Sequence, residues 1–330
     1  MAEFGNLSSN GTHLPNTENL SSNGTHLQNT VDVVTYSVVA CFGIILCLLG
    51  MIGNAIVSWI LTFTLKRTKY TVYILNLAIA DFIYLLFVAV LLLLMVDKML
   101  NRVTPTSTTL FALEIMYDFG YNAGMLFLTA ISVERCLSVL FPIWYKCYRP
   151  KHLSSGTCGL IWLLGAFLSL LDNFVCPSQA FMAMTKECTG TQIFSIVLTF
   201  VIIIPLMLVS SFILIYIIKT SSKKSRPPKI YLAIIFTVLV FLISVAPIRL
   251  LWSLLYFKAF ENTMTGLAFF FVTTYFTSFN SSANPFIYFF VGRHRKKRFG
   301  GSISGALSRV FKDDETEQTS DGNTTNSSMR

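Results

Sequence analysis

Long, nearly unbroken apolar blocks alternate with short polar connections along the chain. Seven blocks stand out, at about 33–63, 71–96, 107–140, 153–175, 192–218, 229–257 and 264–291. Each is long enough to cross a hydrocarbon layer, which takes about 20 residues of helix. Their apolar residues run all the way round, without the period of a half-buried surface helix. They do not alternate as barrel strands do, and barrel strands are only about 10 residues long. The pattern predicts an all-α membrane protein whose residues 33–291 form a seven-transmembrane helix bundle. Pro205 and Pro247 fall inside the fifth and sixth blocks. They predict kinks there, because proline lacks an N–H and its ring collides with the carbonyl four residues back.

Composition agrees with the blocks. The 330 residues are 54% hydrophobic and 12% charged, roughly half the charge of a soluble domain. A net charge of +9 would suit nucleic acid if it were spread over one face, but it is sorted by connection. Nineteen Lys and Arg fall on one set of alternating connections and the tail, and four on the other set. The cation-rich side of a membrane protein stays cytoplasmic. The N-terminus is therefore predicted extracellular and the tail cytoplasmic. The basic charge then faces anionic lipid and an inner partner, with no role for nucleic acid.

Residues 1–32 carry no Lys or Arg and repeat with a period of 13, from Asn6–Leu14 to Asn19–Leu27. Each copy holds two glycosylation sequons, at Asn6, Asn10, Asn19 and Asn23. This segment is expected to be a glycosylated extracellular arm, a Ser/Asn-rich tether with chance sequons being the plainer alternative. No apolar leader precedes it, so the first span is expected to act as the targeting signal. At the other end, residues 292–300 hold the run Arg293–Phe299 and predict a short amphipathic eighth helix on the inner leaflet. Residues 301–330, acidic and hydroxyl-rich over Asp313–Ser320, predict a disordered cytoplasmic tail.

Polar residues inside apolar blocks narrow the function. A carboxylate in mid-membrane, Asp81, needs partners, and Asn54, Asn280 and Asn284 are the natural ones if their helices touch. The third block ends in Glu134-Arg135, with Pro142 soon after. Such a pair is costly at a membrane edge and usually functional. An arginine that swings from its neighbouring carboxylate to a partner protein is a two-state element; an ion pair that only sets helix depth is the plain alternative. In the outer halves of the spans lie Glu114, Asp118, Asp172 and Arg249, with Glu187 near the mouth. Glu114 and Asp118 are four apart and share a helix face. Together with Tyr117, Tyr121 and Asn122 they suit a mixed-charge pocket, which fits a short peptide better than a lipid or a simple amine. The alternative is that Asp118 and Arg249 simply pair.

Other classes are weaker. No Ser/His/Asp set, metal-ligand spacing or phosphate-cradling glycine loop occurs, so neither catalysis nor a cofactor is expected. A multi-pass transporter would show repeated spans and broken midplane helices, and a channel a filter or charge ring.

The motifs, taken in order, resemble the rhodopsin-like (class A) G-protein-coupled receptors. They are Gly53-Asn54, Leu77-Ala78-Ile79-Ala80-Asp81, Glu134-Arg135, Trp162, Pro205, Pro247 and Asn284-Pro285-Phe286-Ile287-Tyr288. More narrowly, the runs Leu128–Leu140, Pro142–Cys147, Pro205–Ser211 and Asn280–Gly292 are similar to the Mas-related receptors. The resemblance implies a plasma-membrane receptor that binds an extracellular ligand and activates heterotrimeric G proteins. It implies switch roles for Glu134, Arg135, Asp81, Asn280, Asn284, Pro285, Tyr288 and Pro247. It also implies arrestin binding by a phosphorylated tail, a cationic-ligand contact at Asp172, and a sodium site at Asp81 in which Gly124 stands where a serine is common. A second family acid falls at Gln192, which is neutral here.

Of seven cysteines, only Cys176 and Cys188 fall in an outer segment, where oxidation is allowed. The Mas-related resemblance implies a bridge between them, in place of the usual tether at the top of span three, with two free thiols as the alternative. Several family positions differ. Val245 replaces the span-six tryptophan, Ile213 the span-five tyrosine, and Cys136 follows the arginine; Arg226-Pro227-Pro228-Lys229 holds no acid. One clasp on the resting state is thus missing, so noticeable basal signalling is expected. A constitutively active orphan receptor and a multi-pass transporter are the alternatives.

Overall fold

The computed structural model describes residues 18–65, 68–101, 105–150, 152–177, 181, 183–220, 229–258 and 266–293. The predicted eighth helix beyond Arg293, the tail, Asn6 and Asn10 lie outside the described residues. The backbone at Asn19 and Asn23 is helical.

The described chain is helical, with spans in the predicted order. Span one is Glu18–Trp59, running on as a wide turn over Ile60–Thr64. Span two is Thr71–Asn101, span three Ser107–Leu140 and span four Leu153–Val175. Span five runs from Lys186 to Thr220 and span six from Lys229 to Tyr256, each in segments; span seven is Gly266–Arg293. Threonines start two of them. Thr106 accepts a hydrogen bond from the Thr109 N–H, and Thr185 from that of Cys188, which satisfies donors that the first turn leaves unpaired.

Both predicted prolines break their helices, by different means. Before Pro205, span five widens into a π-helix over Val197–Ile203 and resumes as Ile204–Thr220. The wider turn makes room for a ring that would otherwise strike the preceding carbonyl. Span six stops at Ser244 and restarts at Ala246, with Pro247 in the new first turn. A first turn is where a missing N–H costs least.

Six of these helices are long and apolar enough to cross a membrane. Span seven has the length, 28 residues, but its Thr, Ser and Asn residues dilute it. The spans close into a ring, with span one against spans two and seven. Span three is the hub, touching spans two, four, five and six. Large apolar side chains such as Phe42, Phe63, Leu163, Phe212, Ile243 and Phe290 are exposed on the outside, as lipid permits and water does not. Close approaches depend on small residues. A Cβ at Gly53 would lie 2.9 Å from Pro285, and one at Gly120 would lie 2.6 Å from the backbone nitrogen of Tyr84.

Candidate ligand cavity and switch

At one end of the bundle Cys176 and Cys188 form the predicted disulfide, joining spans four and five. Beside this end opens a cavity of about 270 Å³ between spans two, three, six and seven. Asp118, Tyr117, Tyr121 and Arg249 line it, with Trp252 and Phe269 among its aromatic walls. Trp252 stacks on Phe269 at 5.3 Å, and Phe181, from the disulfide-closed loop, packs on Trp252 at 5.1 Å.

The charges in the cavity are held by neutral partners. Asn173 on span four donates to Asp118 Oδ2 at 2.8 Å. Arg249 Nε donates to the Tyr121 hydroxyl at 2.8 Å, and its guanidinium lies 4.6 Å from the centre of that ring. Among the described residues, no salt bridge joins Asp118 to Arg249. Three other predicted ligand residues stand off the wall. Glu114 is exposed on span three, Asp172 is half-buried beside Asn173, and Asn122 is buried with its side-chain N–H₂ unpartnered. Helical spacing put Glu114 near Asp118, but the cavity takes only a narrow strip of span three. Asp172 remains within electrostatic reach of Arg249.

Midway down, the predicted polar core forms in part. Asn284 donates to Asp81 Oδ2 at 2.8 Å. Asn54, expected beside them, bonds to the carbonyls of Gly50 and Ser281 and so ties span one to span seven. The Oδ1 atoms of Asn280 and Asn284 are buried without a hydrogen-bond partner. Such carboxamide oxygens, with the Asp81 carboxylate, are the hard donors a sodium ion takes; Gly124 offers no hydroxyl. Trp162 Nε1 donates to Asn76 Oδ1 at 2.8 Å, joining spans two and four.

At the opposite end, Glu134 and Arg135 are both buried, but the neighbours do not form the couple that the sequence suggested. The salt bridge of Glu134 runs to Arg149, beyond the short π-helix Trp144–Tyr148. Tyr145 also donates to Glu134 Oε1, at 3.0 Å. Arg149 donates further to Ser154 Oγ at 2.7 Å, and Ser154 to the Lys69 carbonyl at 2.7 Å. Lys69 Nζ closes the circuit on the Tyr145 carbonyl at 2.9 Å. Arg135 lies over the Tyr70 ring at 3.7 Å and faces Tyr231 of span six at 5.9 Å. Thus span six presents an aromatic ring to the arginine. In the sequence Arg149 is only one of the basic residues between the third and fourth spans, with nothing to mark it as the partner of Glu134 fifteen residues earlier.

A bundle of seven spans, with a cavity at one end and a buried Glu-Arg pair at the other, is the architecture of one receptor class. Residues 53–288 match the 7 transmembrane receptor (rhodopsin family), and the chain belongs to that family. It belongs with the Mas and Mas-related members. It is 41% identical to Proto-oncogene Mas of Mus musculus over 280 residues, which cover 83% of this chain and 84% of that protein. It is 42% identical to the Homo sapiens protein over 268 residues, 80% of each. Mas-related G-protein coupled receptor member D of Macaca fascicularis is 36% identical over 271 residues, 81% of this chain and 83% of its own. The chain is therefore a class A G-protein-coupled receptor, a multi-pass protein of the plasma membrane with a G protein and an extracellular ligand as partner classes.

Proposed function

We propose that the receptor takes a short extracellular peptide into the cavity beside Cys176–Cys188 and activates a heterotrimeric G protein from the Glu134-Arg135 end. The cavity end is then extracellular and the N-terminal arm lies outside, as the charge sorting of the connections supports. The observation that carries the reading is the cavity itself. It presents Asp118 and Arg249 on one aromatic-walled space, each held by a neutral partner. A peptide offers both complementary charges and apolar side chains.

Binding there bears directly on the Val245–Pro247 break, because Val245, Ile248 and Arg249 line the cavity. Movement about that break shifts the Lys229–Ser244 half of span six, which holds Tyr231 beside Arg135. Swinging that half outward opens a cleft for a G-protein helix, with Arg135 and Tyr288 on its floor. Asp172 and Glu187 act as electrostatic guides for cationic ligands. Arrestin on the phosphorylated tail, lipid contact by residues 292–300, glycans on the arm and sodium at Asp81 complete the reading. No step in it is catalytic.

The test is nucleotide exchange on a reconstituted heterotrimer, with and without a library of short peptides. Wild type should show exchange above the receptor-free level, rising further with an active peptide, and Arg135→Ala should abolish the rise. Exchange indifferent to the loss of Arg135 would overturn the proposal. Solute uptake into sealed vesicles, without exchange, would support the transporter class instead.

A further inference from the structure

We infer that the cavity recognises the two ends of a small zwitterion at once, a carboxylate on Arg249 and an ammonium on Asp118, with an aromatic side chain between. This rests on the peptide-receptor reading and specifies which chemical groups enter.

Opposite charges lining one small cavity would ordinarily collapse onto each other, because their attraction is strong where water is scarce. Here each is anchored elsewhere. Asn173 reaches Asp118 from span four, and Tyr121 takes Arg249 by its Nε and by its ring face. Tyr121 uses the inner edge of the guanidinium, so the terminal N–H groups that form the planar fork for a carboxylate are left to other contacts. Asn173 takes only Oδ2 of Asp118. The acid and the base are thus each held by a neutral group and form no salt bridge with each other.

The charge balance then selects the ligand. A lone carboxylate entering beside Asp118, with Asp172 also in reach of Arg249, meets acids as well as the guanidinium. A lone ammonium meets the guanidinium. Only a ligand carrying both charges leaves neither resident group facing a like charge. The stacked Trp252 and Phe269, with Phe181 packed on Trp252, supply an apolar wall for a flat side chain. At about 270 Å³ the cavity lies near the lower bound of small-ligand sites, about 300 Å³. It holds a dipeptide or tripeptide end, not a folded ligand.

The test uses glycine-spaced peptides of two, three and four residues ending in phenylalanine. Each is made free at both ends, N-acetylated, C-amidated or doubly blocked. Binding is read as the rise in melting temperature of the purified receptor in lipid nanodiscs, titrated to an apparent Kd. At least one free zwitterion should bind, and amidation or acetylation should each weaken it roughly tenfold or more. Arg249→Gln should erase the difference between acid and amide, while Arg249→Lys restores part of it. Asp118→Asn should erase the difference between free and acetylated amines. Equal binding by free and blocked forms, or no binding at any length, overturns the assignment, and both outcomes are read on wild type. A zwitterion that binds selectively yet drives no nucleotide exchange leaves this assignment intact and defeats the signalling reading instead.

Discussion

Span three carries two charged sites of opposite construction. Asp118 and Glu134 lie sixteen residues apart on one helix, about 24 Å at 1.5 Å per residue. Asp118 is half-buried, lines a cavity and takes a neutral amide. Glu134 is buried and takes both an arginine and a tyrosine hydroxyl. The first leaves its charge available to something arriving. The second spends its charge inside the protein, on a loop that it holds against span three. The same residue chemistry faces a cavity at one end and holds a loop at the other, and what differs is whether the partner is charged.

Neutralising each site should expose that difference. The largest effect is expected from Arg149→Gln, which leaves the Glu134 carboxylate buried without its cation. Breaking one side of a buried ion pair costs about 3–5 kcal/mol, so the purified receptor should melt well below wild type. An unchanged melting temperature would show that the clasp is dispensable. Tyr145→Phe removes one hydrogen bond to the same carboxylate and should cost about 1.5–3 kcal/mol. It should also raise basal nucleotide exchange, because the loop then loses one of its two ties to Glu134; exchange at the wild-type level would show that the Tyr145 hydroxyl does not restrain the receptor. Asp118→Asn should be the mildest for the fold, below about 1 kcal/mol, since the new carboxamide oxygen still accepts from Asn173. A loss as large as that of Arg149→Gln would mean that Asp118 is a structural charge and erase the contrast.

Much of the architecture was legible because membrane solvation writes it directly into residue type. The seven blocks, the breaks at Pro205 and Pro247 and the Asn284–Asp81 contact each follow from one residue or one run. Other features depend on how helices meet. Asn54 was expected at Asp81 but bonds to Gly50 and Ser281, because helix rotation decides which polar partner is nearest. The Glu134–Arg149 bridge spans a loop whose path only the folded chain defines. Glu114 shares a helical face with Asp118, yet the cavity does not extend to it. Hydropathy marks where the lipid is and not where a helix ends, which is why the helix of span one already runs at Glu18, upstream of the apolar block.

Span seven, diluted by Thr273, Thr274, Thr277, Asn280, Ser281, Ser282 and Asn284, is poorly suited to enter lipid on its own. Polar residues near a helix centre oppose spontaneous insertion. During synthesis it follows the other six, when Gly53, Asn54 and Asp81 already stand in the bilayer. Its entry is then a docking step as much as a partitioning step. The Gly53–Pro285 and Asn284–Asp81 contacts thus make its biogenesis conditional: the last helix is stably integrated only if the first two are correctly placed to receive it.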